Sequence, residues 1–433
     1  MRFLMPDATD TAHSAAFHGR VAEVCACANG SAHARGRGNS WILMRMLSRR
    51  ALVSLVSFAS LVLVACGSAP QTTPQTPAPP VKVEVPTQIV GPSAEGSAKE
   101  LMEKGERAIL AQKWREAADA FETLLAAEPK GPHTEDALYG LATAYEGLEL
   151  REKAKATYDD LVKRFPDSTR TRAALVREAQ LAAYLEDWPA LGQIGDALLA
   201  RKDADDVDRM TGLGARGLSK IEAGDDVGAS RDVQNGLDLV DSLKYGMTGR
   251  LPAPAAQLRF ALGEIRRVRS ERISFLPLTD DFLSKINARA SGLMAAQSSY
   301  ADAIRSVDLH WAAMSGYRIG EMYRSLHKDL MTIPAQNAKG DKDKQLFFGM
   351  MHVRYRVLLE KGIEMLKRTL TISEAGQDSS TWIKRAEKAK AEMELAVEEE
   401  KAQLKKFPFT EEELQRALEL LEKKSTAKGA PAK

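Results

Sequence analysis

From Ala98 to about Lys424, apolar residues recur three and four positions apart and almost nowhere with the period of two that a strand requires. The pattern predicts an all-α body. Leu101, Gly105, Ala108, Ala117, Phe121, Leu124 and Pro129 form one set, and Leu138, Leu141, Ala142, Tyr145, Ala154, Tyr158, Leu161 and Pro166 form a second, displaced by 37 residues. Repetition at this period marks helix pairs stacked into a solenoid. Gly105 and Ala117, like Ala142 and Ala154, are twelve apart, which places small residues opposite each other across a pair, while Phe121 and Tyr158 fill the groove toward the next pair. A third unit runs through Asp187-Trp188-Pro189 to Ala190, and a fourth pairs Gly217 with Ala229. Trp114 and Trp188 fall near equivalent inter-helix turns and are expected to pack there.

The second half carries the same period less regularly. Helices are expected from about Ala255, over 282–306 and over 311–327, with Pro252, Pro254 and Pro277 at starts or breaks. Residues 333–344 read as a polar loop, 345–373 as a long helix, and Ser380 as the cap of another that ends near 405. At the C-terminus Thr410 and Glu413 have the spacing of a capping box, Phe409 and Leu414 that of a hydrophobic staple, and Leu414, Ala417, Leu418 and Leu421 share one stripe. That stripe is expected to cap the solenoid's end.

The positions of the two regular units resemble the tetratricopeptide repeat. The resemblance implies a concave face lined by the first helix of each pair, on which extended peptides or partner helices lie. Its groove-facing positions fall on Lys99, Met102, Glu106, Ile109 and Leu110, then on Asp136, Tyr139, Thr143 and Glu146, with Met102 and Tyr139 the preferred contacts. Residues 114–168, with their Leu161-Val162 and Phe165-Pro166 ending before Ser168, look most like repeats of periplasmic envelope-assembly proteins and of the repeat lipoprotein in the barrel assembly machinery.

The N-terminus has a different pattern. Basic Arg49-Arg50 precedes a mostly apolar run over 51–64, too short for a membrane span, which needs ~20 residues. Leu63-Val64-Ala65-Cys66 closes the run in the manner of a bacterial lipoprotein signal. The resemblance implies cleavage before Cys66 and acylation of that residue; Gly67 and Ser68, with no Asp after the cysteine, resemble the outer-membrane sorting class. The expected organisation is therefore an extension over 1–43 upstream of the true start, a leader over 44–65, and an acylated cysteine with a Pro-rich tether over 66–93. Regular repeats follow over 94–245, then a degenerate helical domain over 246–424 and a disordered tail over 425–433. Extended as polyproline II, the tether reaches at most ~80 Å.

Composition narrows the function. The chain has 61 basic and 59 acidic residues; removing the 7 basic and 3 acidic residues before Cys66 leaves 54 against 56, about −2, which argues against a nucleic-acid partner. The run Arg266-Arg267-Val268-Arg269 with Arg272 is expected to be a solvated helix face, as are Asp205-Asp206 and Glu398-Glu399-Glu400. Cys25 and Cys27, near His13, His18 and His33, belong to the extension and are not read as metal ligands; Cys66 alone remains in the mature chain, so no disulfide framework is expected. His133, His310, His327 and His352 lie far apart, and no phosphate loop, nucleophile elbow or zinc-protease motif appears.

The expectation is a non-enzymatic outer-membrane lipoprotein scaffold that faces the periplasm and binds envelope proteins, without metal or cofactor. Two alternatives stay open. One is a glycan-binding helical lipoprotein using Trp311 and Tyr317, with His310 in the same cleft; the other is a cell-wall enzyme built from dispersed carboxylates.

Overall fold

The computed structural model describes residues 94–245, 251–306, 308–336, 338–376 and 381–428. The leader, Leu63, Val64, Ala65, Cys66, the tether and Ser380 lie outside the described residues. Fourteen helices are described: α1 (Ala94–Leu110), α2 (Trp114–Ala127), α3 (Thr134–Gly147), α4 (Arg151–Arg164), α5 (Thr169–Tyr184), α6 (Trp188–Ala200), α7 (Asp206–Glu222) and α8 (Asp226–Ser242) in the regular half, then α9 (Ala253–Glu271), α10 (Phe282–Ile304), α11 (Leu309–Met331), α12 (Asp341–Gly376), α13 (Thr381–Leu404) and α14 (Glu411–Lys428). Among the described residues there is no strand, only an isolated bridge between Leu251 and Ser306.

The repeat is written into the turns. Gln112, Glu149, Glu186 and Gly224, spaced by 37, 37 and 38 residues, all adopt left-handed backbone, with φ of 55°, 57°, 58° and 87°. Each ends the first helix of a pair. The residue after each donates its N–H five positions back, Lys113 to Ala108, Leu150 to Tyr145, Asp187 to Ala182 and Asp225 to Lys220, all at 2.9 Å. This is the Schellman closure, which satisfies carbonyls that the helix end leaves open. Only the fourth turn uses glycine; the other three accept the steric cost of a Cβ there.

Packing follows from the small residues. The Phe121 ring on α2 is wedged between α1 and α3, where a Cβ on either Gly105 or Gly140 would lie 2.5 Å from it. Gly105 meets the ring of Phe121, one turn beyond Ala117; Ala117, Ala142 and Ala154 are wholly buried. Burying an aromatic of this size stabilises by about 1.5–3 kcal/mol. Trp114 packs on Gly147, and Trp188 lies against the larger core cluster, so both tryptophans are packing residues.

The first helices of successive pairs touch one another in the order α1, α3, α5, α7, α9, α11 and α13. They form the inner layer of a superhelix, and the even helices up to α12 form its outer layer. The degenerate half continues the same stacking.

Several second-half boundaries differ from the sequence reading. Helix α11 extends on both sides of 311–327 because Asp308 caps it, accepting from the N–H groups of His310 and Trp311. Asp341 begins α12 inside the stretch read as loop. The stripe of α14 docks on α12, with Leu414 against Met350 and Leu404 in one apolar cluster. Its capping box is formed: Thr410 N–H donates to Glu413 at 2.8 Å, and Glu413 N–H to Thr410 Oγ1 at 3.2 Å. The helix runs through Lys428, past the 424 boundary, because nothing breaks it before Gly429. Among the described residues no helix is long and apolar enough to cross a membrane.

Candidate functional site: the inner face of the solenoid

Helices α3 and α5 lie side by side in the inner layer, and their facing residues form a polar seam. Tyr139 on α3 is half-buried, edge-to-face with Tyr158 of α4 at 5.6 Å between centroids, and is covered by the Arg170 guanidinium at 5.6 Å. Arg170 also pairs with Asp136. One helical turn further, Thr143 lies 3.3 Å from the Tyr158 hydroxyl, which donates to Glu146 Oε1 at 2.7 Å. Arg177 Nε donates to the same carboxylate at 3.0 Å, and its Nη2 bonds the other oxygen. Asp136, Tyr139, Thr143 and Glu146 are therefore brought together, as the repeat register implied.

The electrostatics of the seam are tightly coupled. Burial and the Glu146 charge raise the Tyr158 hydroxyl well above an ordinary phenol, so it stays a donor. Burial opposes the Arg177 charge, but Glu146 outweighs it and the guanidinium is raised. About two-fifths of the Arg177 side chain remains exposed, against 17% for Glu146, so the cation forms the outward edge of the pair.

The first repeat contributes less. Met102 is 8% exposed and packs among core residues that include Ala98, Phe121 and Leu138, so it is not a free groove contact. Lys99 and Glu106 are exposed and Ile109 is half-buried. Leu110 is 85% exposed at the end of α1.

The seam continues where sequence reasoning did not follow it. Gln180 stands 37 residues after Thr143, and that register was the available signal. With Tyr184 it donates to Asp308, at 3.2 and 2.9 Å, which joins α5 to the start of α11. Tyr184 stacks on His310 at 3.7 Å. Burial, with the neighbouring Arg151 charge, pushes the His310 imidazole down to about 3, so the ring is neutral; among the described residues its Nε2 has no hydrogen-bond partner. Trp311, at 2% exposed, packs on Phe260, and Tyr317 packs on the wholly buried Trp382. No exposed aromatic pair is formed by Trp311 and Tyr317.

The three charge motifs are solvated only in part. The arginine run is only partly a solvated face: Arg269 and Arg272 are exposed and pair with Asp226, whereas Arg266 donates across to Ala295 O and Ser299 of α10 and Arg267 pairs within α9 with Glu264 and Glu271. Asp205 and Asp206 are exposed, as expected, and Asp205 also caps α7 and pairs with Arg172. Glu398 is solvated, but Glu400 is buried between two histidines, with His327 Nε2 at 3.3 Å and His352 Nδ1 on its other oxygen. Those three residues sit on α11, α12 and α13, and no local spacing announces them. Among the described residues no group of histidine, cysteine and carboxylate side chains is arranged to hold a metal ion.

Comparison with known proteins identifies one repeat. A family model of the tetratricopeptide repeat matches residues 136–168, the α3–α4 pair that carries Tyr139 and Glu146. Among solved structures, the chain is similar to a tetratricopeptide repeat protein from Parabacteroides merdae ATCC 43184, at 14% identity and a TM-score of 0.37, over 68% of this chain and 99% of that one. No curated protein matches. The molecule is an all-α solenoid of tetratricopeptide-like helix pairs, and repeats of this kind bind other proteins or peptides.

Proposed function

We propose that this protein is a non-enzymatic scaffold, anchored to the outer membrane through acylated Cys66 and facing the periplasm, that holds envelope proteins against its inner face. The observation that carries this reading is the α3–α5 seam, where Tyr139, Asp136 and Glu146 stand with Arg170 and Arg177 on the layer that a solenoid offers to partners. Half-exposed aromatic and arginine side chains are the groups that dominate binding energy at protein interfaces. The leader ending in Leu63-Val64-Ala65-Cys66 supplies the address, and the Pro-rich tether supplies reach from the bilayer. Acyl chains contribute about 0.8 kcal/mol per buried methylene, enough for stable anchoring when several act together.

The glycan-binding alternative loses its support. A glycan platform needs exposed aromatic faces, and Trp311 has none. The test is in-cell crosslinking of the lipidated protein followed by mass spectrometry, beside a Tyr139→Ala, Arg177→Ala variant. A short set of envelope proteins lost in the variant is the expected result. Recovery that is unselective, or unchanged by the variant, contradicts the scaffold.

A further inference from the structure

Along α5 the cations outreach the acids that pair with them. Arg170, Arg177 and Tyr184 are seven residues apart, so they stand on one side of the helix at steps of about 10 Å. Arg170 meets Asp136 through Nε, and Arg177 holds Glu146 with two nitrogens. A guanidinium has five N–H donors and one carboxylate engages two at most, so each arginine keeps donors for a further group. Both side chains are accessible, at 44% for Arg170 and 43% for Arg177.

Arg151, the first residue of α4, has no acid partner. Among the described residues it makes no ion pair or hydrogen bond, and its guanidinium lies 5.9 Å from the centre of the Tyr184 ring. The repeat register marks this as a departure. Trp114 and Trp188 stand 37 residues before and after Arg151, and Trp114 packs on Gly147, the counterpart of Tyr184. One pair in the array thus replaces an indole on a glycine with a charge on an aromatic. Tyr184 is itself held firmly: its hydroxyl accepts from Gln180 at 2.7 Å and donates to Asp308 at 2.9 Å, and its ring stacks on His310 at 3.7 Å. Asp308 is fully engaged, accepting from Gln180, Tyr184 and the N–H groups of His310 and Trp311. The donors of Arg151 are left for a group outside the chain.

We infer that an acidic segment of a partner protein lies along α5, with its aspartate or glutamate side chains received by Arg151, Arg177 and Arg170. Arg151 contributes a guanidinium for which no acid of the chain competes, and the Tyr184 ring fixes its position by a cation–π contact. A lysine-bearing segment would meet three guanidinium groups instead. The inference rests on the inner face being the binding face and names the chemistry of what that face holds.

The test is fluorescence anisotropy of the purified full-length protein in non-ionic detergent, with fluorescein-labelled hexaglutamate and hexalysine at low ionic strength. Wild type, Arg151→Gln, Arg151→Glu and a control, Arg231→Gln at an exposed position of the outer-layer helix α8, are compared. Substituting Arg151 leaves no acid of the chain unpaired, so circular dichroism should show wild-type helix content in both variants. Wild type should prefer hexaglutamate, Arg151→Gln should weaken it about tenfold, Arg151→Glu should weaken it further, and Arg231→Gln should leave it unchanged. Equal hexaglutamate binding by wild type and the Arg151 variants, an equal loss in Arg231→Gln, absence of hexaglutamate binding, or preference for hexalysine would each overturn the inference. The inner-face reading fails on different data. Envelope proteins crosslinked equally by wild type and the Tyr139→Ala, Arg177→Ala variant contradict that reading, whereas their loss, with hexaglutamate binding indifferent to Arg151, overturns the inference alone.

Discussion

The ring of Phe121 occupies the space that a side chain on Gly140 would need: a Cβ built there would lie 2.5 Å from the ring's Cζ. The first two helix pairs are therefore locked by one aromatic in a slot without side chains. Gly140→Ala should destabilise the protein by about 1–3 kcal/mol, the usual cost of overpacking, and Phe121→Ala by about 3–5 kcal/mol. Urea unfolding followed by circular dichroism measures both. Gly140→Ala at wild-type stability would mean the ring is not wedged as described.

The left-handed turns give a prediction of opposite sign. Gln112 carries a Cβ at φ 55°, where Gly224 in the equivalent turn does not. Gln112→Gly should stabilise by about 0.5–1 kcal/mol, provided the native turn is retained. A loss of stability would show that the residue's side chain matters more than its backbone.

Acid should unfasten the α11–α12–α13 junction. Burial pulls the Glu400 carboxyl upward, but His327 and His352 outweigh it and hold it at about 2. Its folded value lies below the unfolded one, so the stabilisation is present above about pH 4.5 and is lost as pH falls toward 2. His352→Ala should shrink the acid-dependent loss; equal pH profiles for variant and wild type would remove His352 from the account.

Anchoring has its own test. Cys66→Ala should move the protein from the membrane to the soluble periplasmic fraction on cell fractionation, because the acyl chains would no longer be added. Retention in the membrane would contradict acylation at Cys66.

The fold was legible where one local pattern decides the structure. The 37-residue displacement from Leu101 to Leu138 located two pairs, and Thr410 with Glu413 located a capping box that forms. Of the groove residues, Asp136, Tyr139, Thr143 and Glu146 converge because register alone puts them on one helix face. Met102 faces the core instead, since at the first repeat no preceding pair distinguishes inner from buried positions. Arg266 and Glu400 misled because a charge's environment depends on which distant helix lies opposite. Asp226 and Ser299, and likewise His327 and His352, reach their partners only through tertiary stacking.

The most direct test of the central claim, that partners lie against the inner face, is site-specific photocrosslinking in living cells. A photoreactive residue is placed at Tyr139 on the seam in one strain, and at Thr123, an exposed position on α2 of the outer layer, in another. Discrete crosslinked envelope proteins from position 139 and none from 123 are the predicted result. Crosslinks confined to position 123, or the same products from both, would contradict binding through the inner face.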